Sequence, residues 1–151
     1  VAERYPEAEV IASVATNAIA IGVLVAEELG LPFVYVHPTP KDHGFENMIE
    51  GDLRPRQNVV VIEDQVSVGI NSMKVVEAIR KDGCKVLGLV TIFNYELQDT
   101  LRRFKKGKVE MIALSTFSAV LKHALSTEYI TEEGAETLQT WQKNPADWKL
   151  Q

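Results

Sequence analysis

Cysteine is almost missing. Cys84 stands alone among 151 residues, so no internal disulfide can staple the chain. It sits between Gly83 and Lys85, neither of which is a general base. It reads as a buried structural thiol in a reducing, cytoplasmic setting. Histidine is also scarce, and His37, His43 and His123 show no metal-ligand spacing. Positive charge is outnumbered, 16 Lys and Arg against 21 Asp and Glu, a formal net charge of -5. That disfavours a general nucleic-acid surface. No apolar run approaches the roughly 18 residues of a membrane span. The nearest, Ala18 to Ala26, meets Glu27 and Glu28 at once. A secretory signal pattern is lacking. The chain opens on VAERYPEAE without a methionine, reading as the tail of a surface helix or connector, and an upstream portion is expected. Neither a Walker A loop nor a dinucleotide fingerprint occurs.

What is present describes an ordinary globular protein, 46% hydrophobic and 25% charged. Its length fits one domain over residues 1–151. Short, continuous apolar runs suit buried strands at Val10–Val14, Phe33–Val36, Asn58–Ile62, Val86–Phe93 and Val109–Leu114. Helical patterns lie between them, at Ala18–Leu29 with a Gly30 stop, Asn71–Lys81, and Leu97–Lys106. Ser115 or Thr116 is placed to cap a helix over Ala119–Leu125, and Thr131 a final one carrying Trp141 on its apolar face. The helical C-terminal segment runs over about 115–151, with Trp148 expected to dock the tail. Residues 37–56 carry Pro38, Pro40, Gly44, Gly51 and Pro55, and read as a long, exposed, mobile loop with room for a hairpin.

Strands alternating with helices give an α/β class with a central parallel sheet covered on both faces. Ligands of such sheets bind at the carboxyl ends of strands. Glu63 and Asp64 end the strongest strand and point to opposite sides, so they are not a glycosidase-like pair. They suit ribose hydroxyls or an indirectly held Mg²⁺, or form a solvated acidic strand end. Gln65 to Ser72 then lead into a helix. N–H groups at a helix start suit phosphate, Ser67 and Ser72 add hydroxyls, and Gly69 permits close backbone approach. Simple capping by Ser67, Asn71 or Ser72 fits the same residues. Lys41, Asp42 and His43 could close over a phosphate or form a solvated loop. His37 marks a strand end. His123, beside Ala124 and Leu125, reads as structural. Arg102, Arg103, Lys105, Lys106 and Lys108 read as a solvated helix end, with an anion or partner patch as the other reading.

The arrangement resembles the type I phosphoribosyltransferases, and within them the orotate phosphoribosyltransferase branch. Four segments carry the likeness: IASVATNAIAIGVLVAEELGLPFVYV (11–36), KDHG with NMIEG (41–44 and 47–51), NVVVIEDQVSVGINSMKVVEAIR (58–80) and VLGLVTIF (86–93). The resemblance implies transfer of phosphoribosyl from phosphoribosyl pyrophosphate to orotate, giving orotidine 5′-monophosphate and pyrophosphate. It implies Mg²⁺ on the pyrophosphate, a homodimer, and an N-terminal portion upstream of this chain. By the same likeness, Glu63 and Asp64 bind ribose hydroxyls. Gln65, Val66, Ser67, Val68, Gly69, Ile70 and Asn71 surround the 5′-phosphate, with Ser67 near orotate. Ala15, Thr16, Asn17 and Ala18 form the turn beside pyrophosphate, and His37 lies nearby. Lys41 and His43 reach pyrophosphate from the loop, across the dimer interface, and with Asp64 are the catalytic candidates.

The chain departs from the family pattern at several ligand-facing positions. Val68 stands where a hydroxyl is usual, and Ile70 where a second glycine is usual. Ala18 replaces a glycine, His37 an arginine and Pro38 another common cation, while FNYEL (93–97) lacks an arginine frequent after the fourth strand. Two other functions therefore fit the same residues. One is a non-catalytic phosphoribosyltransferase-like protein that binds nucleotide or acts as a scaffold. The other is a phosphoribosyltransferase for another base.

Overall fold

A computed structural model describes residues 1–39 and 48–148, apart from the side chain of Asp147. The elements follow in the order β1 (Val10–Val14), α1 (Ile19–Leu29), β2 (Phe33–Val36), β3 (Ile49–Glu50), β4 (Asn58–Val66), α2 (Ile70–Lys81), β5 (Lys85–Asn94), α3 (Gln98–Gly107), β6 (Met111–Thr116), α4 (Phe117–Ser126) and α5 (Glu132–Lys143). A short 3-10 turn, Pro145–Asp147, follows.

The six strands form one sheet in the order β3-β2-β1-β4-β5-β6. Every neighbouring pair is parallel except β2 with β3, which pair antiparallel through Tyr35–Glu50 and Val36–Ile49. That pairing joins Ile49–Glu50, inside the expected loop, to β2, which precedes it; the part of the expected loop over 40–47 lies outside the described residues.

Side chains alternate across each strand and feed two cores. On one face, Val10, Ala12, Val14, Val59 and Val61 meet Met73, Val75, Val76 and Ile79 of α2 and Phe104 of α3. On the other, Ile11, Val60 and Ile62 meet Ile21, Val25 and Ala26 of α1, and Tyr5 from the N-terminal segment. Burial on both faces is why β1 and β4 read as unbroken apolar runs.

Three sequence expectations need correction. First, β4 does not stop at Ile62. Glu63, Gln65 and Val66 pair with Thr91, Phe93 and Asn94, so the partner strand carries it to Val66 despite polar residues. Second, β6 lies two residues later than expected, because Leu89–Met111 and Asn94–Thr116 set its register. Consequently α4 begins at Phe117, with the Thr116 hydroxyl accepting from the Ala119 N–H. Third, Trp148 is exposed rather than docked. Trp141 is the aromatic that packs, edge-on against Tyr95 and tilted against Phe117. The Thr131 cap of α5 accepts from the Gly134 N–H.

Candidate active site

The chain leaves β1 toward β2 on one side, then returns to place β4 on the other. The turns after β1 and β4 therefore diverge and open a crevice between them, the position where open α/β sheets bind ligands. A cavity of about 430 Å³ occupies it. Its walls are Val14–Asn17 from the first turn and Glu63–Gln65 and Ser67–Ser72 from the second.

Buried bonds fix the first turn. The Ser13 hydroxyl donates to the Ala18 carbonyl at 2.9 Å, and the Ala15 N–H donates to the Val36 carbonyl at 2.9 Å. The Ala15–Thr16 peptide is cis. Thr16 and Asn17 are left exposed at the rim.

The acidic pair divides as strand alternation requires. Glu63 is buried, and its carboxylate accepts from the Ser72 hydroxyl at 2.9 Å. Burial pushes its pKa up to about 8. The Ser72 bond opposes that rise, and the neighbouring Asp64 adds to it. Asp64 is half-buried, and its carbonyl accepts from the Thr91 hydroxyl at 3.1 Å. The Asp64 carboxylate and the Thr16 and Ser67 hydroxyls are hard oxygen donors of the kind Mg²⁺ prefers. Among the described residues, no three His, Cys, Asp or Glu side chains group to hold a metal ion.

The second turn ends on Gly69, which precedes α2 in a left-handed conformation, φ 69° and ψ 13°. A side chain there would be strained, and its Cβ would come within 2.8 Å of the Phe104 ring. The start of α2 lacks a side-chain cap, and its first turn lines the cavity. Helix N-termini present unsatisfied N–H groups and the positive end of the helix dipole, which suits phosphate. Val68 and Ile70 are both largely exposed here, so two apolar side chains stand at the edge of a polar site.

The structure thus brings together Ala15, Thr16, Asn17, Glu63, Asp64, Gln65, Ser67, Val68, Gly69, Ile70 and Asn71. It does not bring Ala18, Val66 or His37 into the wall. Ala18 and Val66 are buried as packing residues. His37 belongs to the β2–β3 hairpin: its N–H donates to the Met48 carbonyl, and its ring lies edge-on to Tyr35. Its Nε2 is buried and meets no partner among the described residues. Lys41 and His43 lie outside the described residues. His123, expected to be structural, is exposed in the last turn of α4. Val14 and Ser72 join the wall, and the second turn is also braced by Thr100 and Arg103 of α3. The sequence singles out Ser72 for its hydroxyl, but not its bond to Glu63. The α3 contacts span more than 30 residues and leave no local signal.

No protein-family model matches the chain. Curated relatives match nearly all of it. It is 54% identical over 149 residues to an orotate phosphoribosyltransferase of Phocaeicola vulgatus, covering 99% of this chain and 70% of that one. The orotate phosphoribosyltransferase of Bacteroides thetaiotaomicron is 53% identical, with 97% and 69% covered. Among solved structures, orotate phosphoribosyltransferase from Aeropyrum pernix superposes with a TM-score of 0.74 at 22% identity, covering 85% of this chain and 70% of that one. Adenine phosphoribosyltransferase from Leishmania tarentolae gives 0.63 at 20% identity, with 78% and 67% covered. A Mycobacterium tuberculosis orotate phosphoribosyltransferase in complex with 5-phospho-α-D-ribosyl 1-diphosphate gives 0.64 at 17% identity, with 78% and 69% covered. These structural likenesses bear on the fold.

Proposed function

Because this chain belongs to the orotate phosphoribosyltransferase family, we propose that its β1–β4 crevice binds phosphoribosyl pyrophosphate and transfers the phosphoribosyl group to orotate. One observation carries the site assignment. The Glu63–Asp64 pair and the N-terminus of α2 line the same cavity. A ligand with a diol and a phosphate monoester matches that combination of acceptors and donors.

In the reaction, a ring nitrogen of orotate bonds to the anomeric carbon as the bond to pyrophosphate oxygen breaks. The bonding pair leaves with pyrophosphate. The ribosyl group becomes cationic in the transition state, so positioning and charge neutralisation do the catalytic work. In this assignment, Asp64 accepts from a ribose hydroxyl and Glu63 supports the same edge from its buried bond to Ser72. The turn Ser67–Asn71 receives the 5′-phosphate, with Ser67 also facing orotate. Ala15–Asn17 faces pyrophosphate. Lys41 and His43, outside the described residues, are assigned to pyrophosphate, and a homodimer belongs to the same reading. Mg²⁺ bound with pyrophosphate would neutralise leaving-group charge, and the Asp64 carboxylate with the Thr16 and Ser67 hydroxyls would be this chain's oxygen donors on that side. A free, buried Cys84 is in keeping with a reducing cytoplasmic setting. No described helix is long and apolar enough to cross a membrane.

Calorimetric titration with phosphoribosyl pyrophosphate and Mg²⁺, followed by orotate and a pyrophosphate-release assay, tests the proposal. Saturable binding with turnover is expected; absence of binding overturns the site assignment. Asp64→Asn should weaken binding about tenfold, the scale of one hydrogen bond to a charged group. An unchanged affinity rejects Asp64 as a ribose contact.

A further inference from the structure

The turn that faces phosphate is braced by a helix that contributes nothing to the cavity wall. Thr100, on the first turns of α3, is fully buried, and its hydroxyl donates to the Ser67 carbonyl. Three residues on, the Arg103 Nε donates to the Val68 carbonyl at 3.2 Å. Phe104, also buried, closes against Gly69. Three consecutive residues of the turn are therefore held from one side by one helical face.

A buried threonine hydroxyl in a helix commonly bonds back to a carbonyl of its own preceding turn. Thr100 instead reaches a carbonyl 33 residues earlier in the chain. The consequence for the turn follows from peptide geometry. A trans peptide is planar, with its C=O and N–H pointing in opposite directions. Holding the Ser67 carbonyl toward α3 turns the Val68 N–H away from α3. Holding the Val68 carbonyl does the same for the Gly69 N–H. Val68 and Gly69 line the cavity, while no residue of α3 does.

Resting on the phosphoribosyl reading of the cavity, we propose that Thr100 and Arg103 are positioning residues for the phosphate monoester. They clamp the Ser67–Val68 and Val68–Gly69 peptides with their N–H groups toward the cavity, extending the donor set at the start of α2. The departures at Val68 and Ile70 leave this device intact, because backbone groups do the binding. Side chains at those two positions are free to vary while the carbonyls stay clamped.

The test uses inorganic phosphate as probe on the 151-residue chain, followed by amide NMR, with steady-state kinetics alongside. In the unsubstituted chain, phosphate should shift the Val68 and Gly69 amide resonances saturably. Thr100→Val, which keeps the shape and removes the hydroxyl, should weaken phosphate about tenfold, the equivalent of one lost hydrogen bond. Thr100→Ser should restore binding to within about threefold, since its hydroxyl remains. KM for phosphoribosyl pyrophosphate should rise in Thr100→Val with kcat little changed. Arg103→Met, at a partly exposed site, should weaken phosphate severalfold and covers the case in which Thr100→Val does not fold. Unchanged phosphate affinity in Arg103→Met and in folded Thr100→Val overturns the proposal, as does phosphate binding that leaves both amides unmoved. Amide shifts of the expected pattern without phosphoribosyl transfer support the clamp and reject the enzymatic reading. Transfer without those shifts does the reverse.

Discussion

At the scale of the residue, Glu63 carries a clear stability signature. Its carboxyl is buried beside Asp64, and burial raises its pKa from 4.5 to about 8. In the unfolded chain the group ionises near its ordinary value. Between those two values the folded state holds a proton that the unfolded state has lost. Stability therefore falls as pH rises through that window, by about 1.4 kcal/mol for each pH unit in which the states differ by one proton. Glu63→Gln removes the titration while keeping the size and one acceptor for the Ser72 hydroxyl. Thermal unfolding between pH 5 and pH 8, without phosphate or Mg²⁺, should slope downward for the unsubstituted chain and flatten for Glu63→Gln. A slope that survives the substitution would place the titrating group elsewhere.

At the scale of the element, Gly69 joins β4 to α2 and sets the direction in which α2 points its first turn. Gly69→Ala meets two obstacles: a φ of 69°, and a contact of 2.8 Å with the Phe104 ring. The left-handed conformation alone costs a non-glycine residue about 1 kcal/mol or more, and displacement of a packed ring adds to it. Urea unfolding should report a loss of about 2–3 kcal/mol, with phosphate affinity falling alongside. A variant of unchanged stability and phosphate affinity would mean that the turn relaxes freely and does not depend on α3. The same elements explain what could be read from sequence. The runs VIASV, FVYV and NVVVI announce themselves because both faces of their strands are buried. The continuation of β4 through Glu63 and Gln65 does not, since only pairing with Thr91 and Phe93 makes those residues a strand. The acidic pair and the start of α2 were legible as one candidate junction because one short segment holds both, and they line one cavity. The support from Thr100 and Arg103 was not, because Arg103 sits in a basic run whose simplest reading is a solvated helix end. Proximity to Ser67 and Val68 exists only after β5 and α3 are folded onto the sheet.

At the scale of the whole molecule, two cores on opposite faces of the sheet serve different ends. One carries α2 and α3 and sets the turn between β4 and α2. The other carries α1 and the N-terminal segment, which is fastened to β5 and Glu110. Tyr5 is buried against β5, its hydroxyl donates to the Glu110 carboxylate at 2.9 Å, and Arg4 pairs with the same carboxylate. Burial and the Glu110 bond push the Tyr5 hydroxyl up to about 12, so the bond persists across the neutral range. The ring can lie there because β5 has a glycine beneath it. A Cβ at Gly88 would stand 2.1 Å from the Tyr5 oxygen and 2.6 Å from Cζ. Gly88→Ala should therefore expel the ring and release the segment from the sheet. Losing a buried aromatic costs about 3–5 kcal/mol, and the released segment retains part of its contacts, so a loss of about 2–4 kcal/mol in urea unfolding is expected. Phosphate affinity at the β1–β4 crevice should stay within about twofold, because neither Tyr5 nor Gly88 lines that crevice. The double substitution with Tyr5→Leu separates this cause from a general intolerance of β5. Once the ring is gone, Gly88→Ala should cost less than about 1 kcal/mol, the usual scale of a substitution with room to settle. An equal cost in both backgrounds would show that Tyr5 is not what the alanine displaces.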